Sequence, residues 1–187
     1  MPKETEKKET KKKDMIKALF FNDIIVSENS PIAAELFNTS RYGILKDNGK
    51  LQLSLIEGLY LAGKERIEIF DRRSHMITYD DLLKKSTKLQ PNFLMRFAVY
   101  KDLRERGYIV KTALKFGADF RVYDRGVKPG EDHAKWVVYP VHESSSLTWY
   151  EFAAKNRVAH STKKRLLLGV VDDEDDVSYW ECKWIRP

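Results

Sequence analysis

The run YKDLRERGYIVKTALKFGADFRVYDRG, residues 100–126, decides the fold. It opens in a helix whose apolar positions Phe93, Leu94, Phe97, Val99, Tyr100 and Leu103 share one face, and Gly107 stops it. Tyr108–Thr112 reads as a strand. Gly117 precedes a second strand, Ala118–Tyr123, whose side chains alternate between two faces. Ala118, Phe120 and Val122 make the apolar face, and Asp119, Arg121 and Tyr123 the other. Tyr123 is then the last outward residue before Arg125–Glu131, a loop carrying Gly126, Pro129 and Gly130. The chain returns through His133 into a third strand, Trp136–Val141. Tyr123 and His133 therefore flank one opening.

Further along, Thr148 caps a long helix reaching about Lys164. Arg157, His160, Ser161 and Lys164 follow i, i+3, i+4, i+7 spacing and share a stripe on it. Leu166–Val171 is a buried-looking strand, Asp172–Asp176 an acidic turn, and Val177–Ile185 a last strand. Toward the N-terminus, Gln90-Pro91-Asn92 makes a joint. Before it come a strand over Leu19–Val26 and a short helix at Pro31–Phe37 with Ser30 as N-cap. A helix from Leu55 to near Gly63, a strand at Arg66–Phe70 and a Thr78-capped helix over Tyr79–Leu89 follow. The expectation is an α/β (α+β) protein of two small mixed α/β domains, 17–90 and 91–187, after a basic disordered tail at 1–16. The second domain carries a mixed sheet flanked by helices.

With 187 residues, 42% hydrophobic and 33% charged, the composition is that of a soluble globular protein. Its apolar runs are too short to span a bilayer, and no apolar signal core follows the basic start, so a cytoplasmic location is expected. The lone Cys182 forms no internal disulfide and no cysteine-based metal cluster. The net charge is +6, but residues 1–13 hold six lysines and three glutamates, half of that excess. The charge on the folded body alone favours a nucleic-acid partner only weakly. By residue type alone, Tyr123 reads as a packing aromatic, His133 as a surface histidine and Lys164 as a solvated helix end.

Three blocks in order change that reading: residues 100–126, His133 on the loop, and RVAHSTKKRLLLGVVD at 157–172. Together they resemble the archaeal tRNA-splicing endonucleases, as does LSLIEGLYL at 53–61. The resemblance implies a nuclease-like catalytic domain in a tRNA-intron lyase that cuts precursor tRNA at bulge-helix-bulge junctions. It implies no metal or other cofactor, and products with 2′,3′-cyclic phosphate and 5′-hydroxyl ends. The family's catalytic Tyr, His and Lys fall on Tyr123, His133 and Lys164. One of its two base-clamping arginines falls on Arg157, and the second is placed at Arg186. The acidic turn with Asp172, Asp173, Asp175 and Asp176 matches a loop that inserts into an opposing subunit. The last strand, with Tyr179, Trp180 and Trp184, matches one that pairs across a dimer. A homotetramer built as a dimer of dimers is expected, with a structural partner subunit as the alternative assembly.

The chemistry suits those residue types. RNA can attack its own phosphodiester through the adjacent 2′-hydroxyl, which needs a base, an acid for the departing 5′-oxygen and a positive charge for the phosphorane. A histidine, with a reference pKa of about 6.5, fits the acid role. A tyrosine is a base only where a neighbouring cation favours its phenolate, and a lysine supplies that cation and steadies the phosphorane. The competing reading is a metal-dependent nuclease of the restriction type, with Asp176 followed by Glu181 and Lys183 on one strand.

Overall fold

The computed structural model describes residues 15–113, 117–130 and 132–185. Residues 1–14, most of the expected tail, lie outside the described residues, as does Arg186.

The first half opens with β1 (Ile16–Phe21) and β2 (Ile24–Asn29), an antiparallel hairpin in which Phe21 pairs with Ile24. The single strand expected over 19–26 is thus two. The polar pair Asn22-Asp23 makes the turn, and Asn22 takes φ 58, a conformation that asparagine tolerates better than most side chains. Ile16 is already in the sheet and 1% exposed, so it belongs to the first half and not to the tail expected over 1–16. Next come α1 (Pro31–Ser40), with the Ser30 hydroxyl accepting from the Ala33 N–H, then β3 (Ile44–Leu45) and β4 (Lys50–Ser54). In α2 (Leu55–Gly63), Ser54 and Glu57 form a reciprocal capping box. The half closes with β5 (Ile67–Phe70), β6 (Met76–Ile77) and α3 (Tyr79–Leu89). Its six strands lie in the order β3-β4-β2-β1-β5-β6, with β1 and β5 parallel.

The second half holds α4 (Phe93–Glu105), β7 (Ile109–Thr112), β8 (Phe120–Tyr123), β9 (Trp136–His142), α5 (Trp149–Ser161), β10 (Arg165–Val171) and β11 (Val177–Cys182). The sheet order is β11-β10-β9-β8-β7, mixed as expected, with β9 and β10 parallel and the other neighbours antiparallel. One face carries Val110, Phe120, Val122, Val138, Leu167 and Val171, and these join α4 and the buried face of the first sheet in one continuous core. Tyr100 of α4 is central to it, packing edge-on to Tyr60 of α2 and tilted against Phe120 of β8. The other face carries Val137, Tyr139 and Leu166, packed with Ala118 and with Ala159 of α5. Ala118 therefore belongs with this second face and not with Phe120 and Val122, because the strand begins only at Phe120.

Three local differences bear on the site. The helix ends at Ser161, with Thr162 as C-cap, and Lys163 adopts φ 55. Lys164 therefore sits in the turn that reverses the chain into β10, its N–H donating to the Ala159 carbonyl at 2.8 Å. The Arg121–Tyr123 face is not outward: Tyr123 is 5% exposed. Finally, β11 stops at Cys182, short of the expected Ile185.

Candidate active site

Alternation along the strands assigns side chains to the two faces of the second sheet. Phe120 and Val122 point into the α4 core, so Arg121 and Tyr123 point to the α5 face. On β10, Leu167 joins the α4 core and Leu166 the α5 core, and Lys164, in the turn just before the strand, lines a recess on the α5 face with Asn156 and His160. The strand ends are laced at one level. The Lys135 N–H donates to the Val122 carbonyl at 2.9 Å, and the Arg165 N–H to the Lys135 carbonyl at 3.0 Å. Tyr123 at the end of β8 and Lys164 at the start of β10 thus lie on the same face and at the same end. Two strand spacings, about 10 Å, separate their backbones. His133 is exposed on the loop that enters β9 between them, and its N–H donates to Asp132 Oδ1 at 2.6 Å.

The electrostatics centre on Lys164. Its Nζ donates to the Thr162 carbonyl at 2.8 Å. Burial, and after it the Arg121 guanidinium, hold Lys164 below the usual lysine pKa. Arg121 Nε is buried with no hydrogen-bond partner among the described residues. A positive side chain that is partly desolvated and unpaired at one nitrogen leaves donor capacity that an anionic group can take.

Arg157 and His160 remain on α5 and line a cleft of about 630 Å³ with Phe152, Cys182 and Trp184. The His160 and Trp184 rings lie 4.7 Å apart. A smaller recess beside it, about 220 Å³, is lined by Lys164 together with Asn156, His160 and Trp184. The α5 face therefore offers a path from Lys164 toward Arg157. In the acidic turn, Asp172 Oδ1 accepts from the Glu174 and Asp176 N–H groups, and Asp173 lies 3.4 Å from His142. Asp175 and Asp176 border a different cavity, shared with Tyr79, Phe97 and Lys101.

The restriction-type alternative is poorly served. Asp176 precedes β11 and Glu181 is near its other end, about 16 Å apart at a strand's rise per residue. Glu181 is occupied, accepting from Trp136 Nε1 at 2.7 Å and from Arg165 Nη1 at 2.8 Å. Among the described residues no three His, Cys, Asp or Glu side chains are grouped to hold a metal.

Comparison with known proteins matches the profile of the tRNA intron endonuclease catalytic C-terminal domain to residues 93–179, and that of the tRNA intron endonuclease N-terminal domain to residues 16–83. This chain belongs to the tRNA intron endonuclease family. A tRNA-splicing endonuclease of Nanoarchaeum equitans is 46% identical over 142 residues, 73% of this chain and 90% of the relative. Those of Pyrococcus abyssi and Pyrococcus furiosus are 37% and 38% identical over 174 residues, 93% of this chain and 99% of each relative. The expected family and enzyme class hold, since a nuclease catalytic domain is present. The α/β architecture of two helix-flanked sheets agrees with the two domains of the tRNA intron endonuclease family. No described helix is long and apolar enough to cross a membrane.

Among residues near this family site, Arg121 was given no role from sequence. Its signal was there, since it lies two positions before Tyr123 in a strand and so shares its face. What alternation does not show is that its Nε is buried without a hydrogen-bond partner among the described residues.

Proposed function

We propose that this chain cleaves precursor tRNA at bulge-helix-bulge intron junctions by metal-independent attack of the 2′-hydroxyl on the adjacent phosphate. Residues 91–187 act as the catalytic domain and 17–90 as the N-terminal domain. Tyr123, as its phenolate, takes the proton of the attacking 2′-hydroxyl, whose oxygen forms the new bond to phosphorus. The bond to the 5′-oxygen breaks, and His133 protonates that oxygen as it leaves. Lys164 balances the charge that builds on the phosphorane oxygens. The products are a 2′,3′-cyclic phosphate and a 5′-hydroxyl. Support comes from one observation above all: Tyr123 and Lys164 share a face and a strand end, and the loop bearing His133 enters between them.

Arg157 stacks on a splayed bulge base, a mode that reads shape more than sequence. Its place in an aromatic-lined cleft that adjoins the Lys164 recess favours this role. Arg186 is the proposed second clamp. The acidic turn at Asp172, Asp173, Asp175 and Asp176 docks into another copy, giving a homotetramer or an assembly with a structural subunit.

The test is cleavage of an intron-containing precursor tRNA by Tyr123→Phe, His133→Ala and Lys164→Ala. Each is expected to be slowed strongly. For Lys164→Ala the loss is about 2.7–4 kcal/mol of transition-state stabilisation, the scale of a removed charge-stabilising donor. A wild-type rate in any of the three removes that residue from the mechanism.

A further inference from the structure

The reverse face of the same strand ends carries a polar chain that the proposed chemistry does not use. Asp124, the residue after Tyr123, pairs with Lys135 at 2.5 Å across the neck of the His133 loop. The Lys135 ammonium lies 4.4 Å from the centre of the Trp136 ring. Trp136 Nε1 donates to Glu181 Oε2 at 2.7 Å, and the other Glu181 oxygen accepts from Arg165, the residue after Lys164, at 2.8 Å. Trp136 is itself held edge-on by Tyr108, whose ring lies 5.0 Å under the Arg125 guanidinium at the start of the loop. The immediate neighbours of Tyr123 and Lys164, and the residue two beyond His133, are thus tied into one network, and the final strand closes it through Glu181.

These groups are 35–48% exposed at their side chains. Ion pairs that exposed contribute little to stability, so stability is a poor explanation for so ordered a chain. Geometry is a better one, because a misplacement of about 1 Å at a reacting group can cost on the order of 10²-fold in rate. We propose that Glu181 and Trp136 are positioning residues: through Lys135 and Arg165 they hold the three strand ends at the spacing that the reaction requires. This rests on the assignment of Tyr123, His133 and Lys164 above. The state of Glu181 agrees with the role. The Trp136 N–H, followed by the hydrogen bond and charge of Arg165, holds its carboxyl below the usual range, so the anchor is ionised wherever the enzyme would work.

The experiment is single-turnover cleavage of precursor tRNA, in chelator, by Glu181→Ala, Glu181→Gln, Trp136→Phe and the double variant Glu181→Ala/Trp136→Phe, with Lys164→Ala alongside. Glu181→Ala is expected to slow the cleavage step about tenfold at saturation, with the half-saturating RNA concentration within about twofold of wild type. Glu181→Gln, which keeps an acceptor oxygen, recovers most of that loss. Trp136→Phe keeps an aromatic ring beside Tyr108 and removes the indole N–H, so it serves even if Glu181→Ala folds poorly. It is expected to slow the step severalfold, and the double variant to be no slower than Glu181→Ala alone, as for two members of one network. Wild-type rates in both single variants, losses confined to RNA binding, or fully additive losses would overturn the proposal. If Lys164→Ala also cleaves normally, the site assignment itself has failed; if Lys164→Ala is inactive while the brace variants are normal, only the positioning role has.

Discussion

Lys164 and Arg121 set the character of the site at the scale of single residues. Partial burial withholds water from the Lys164 ammonium, and the Arg121 cation repels it, so Lys164 is held below the ordinary lysine pKa of about 10.4. The sign of the pH effect follows. In the proposed mechanism Lys164 acts as a cation, so cleavage should fall as pH rises through its lowered pKa, earlier than for a solvated lysine. Removing the Arg121 charge raises that pKa. Arg121→Met should therefore move the alkaline limb of the pH–rate profile to higher pH while lowering the maximal rate, and an unmoved limb would show that the two charges are not coupled. At this scale the sequence was partly legible. Alternation in Phe120–Tyr123 separates Tyr123 and Arg121 from Phe120 and Val122, but the burial of Tyr123 depends on tertiary packing, which no local pattern reveals.

At the scale of elements, caps and stops carry the account. Thr78, Thr148 and Ser30 each accept a backbone N–H at a helix start, and all three are read from sequence because capping is local chemistry; Ser54 does the same for α2. The strands β3, β4 and β6 were not read. Two of them have only two residues each, and their pairing is made by distant partners. The reach of α5 to Lys164 was over-read, since the left-handed turn at Lys163 ends the helix while the i, i+7 pattern runs on. Gly43 marks where the elements meet. It has φ +58, its N–H donates to the buried Glu57 carboxylate at 2.8 Å, and its carbonyl accepts from Lys111 of β7 at 2.6 Å. A Cβ there would fall 2.4 Å from the Gln52 carbonyl oxygen, which belongs to backbone and cannot swing away. Gly43→Ala should cost about 2 kcal/mol or more in chemical denaturation, through strain and displacement of that backbone. A loss below about 0.5 kcal/mol would mean that the junction is far more compliant than it looks.

At the scale of the whole molecule, both halves share one core through α4, so the first sheet is part of what holds the second in shape. The outer edge strand β11 bears Trp180 at 64% exposed, with Trp184 at 51% just beyond it. Exposed aromatics along an unpaired strand edge favour association. The acidic turn needs care in any test of assembly, because Asp172 also caps its own turn and Asp175 has φ 65. Changing the acids at 172–176 to asparagine or glutamine keeps those acceptors and removes only the charge. Light scattering should then report a smaller species than wild type, and an unchanged mass would reject docking through this turn. The mixed second sheet was legible because strand, helix and glycine signals alternate cleanly from 93 to 171.

The most direct test of the chemistry is the ends of the cut RNA. Cleavage of an intron-containing precursor tRNA in excess chelator should proceed and leave a 2′,3′-cyclic phosphate on the upstream fragment and a 5′-hydroxyl on the downstream one. A 3′-hydroxyl paired with a 5′-phosphate, or cleavage that stops when divalent metal is removed, would contradict attack by the ribose itself.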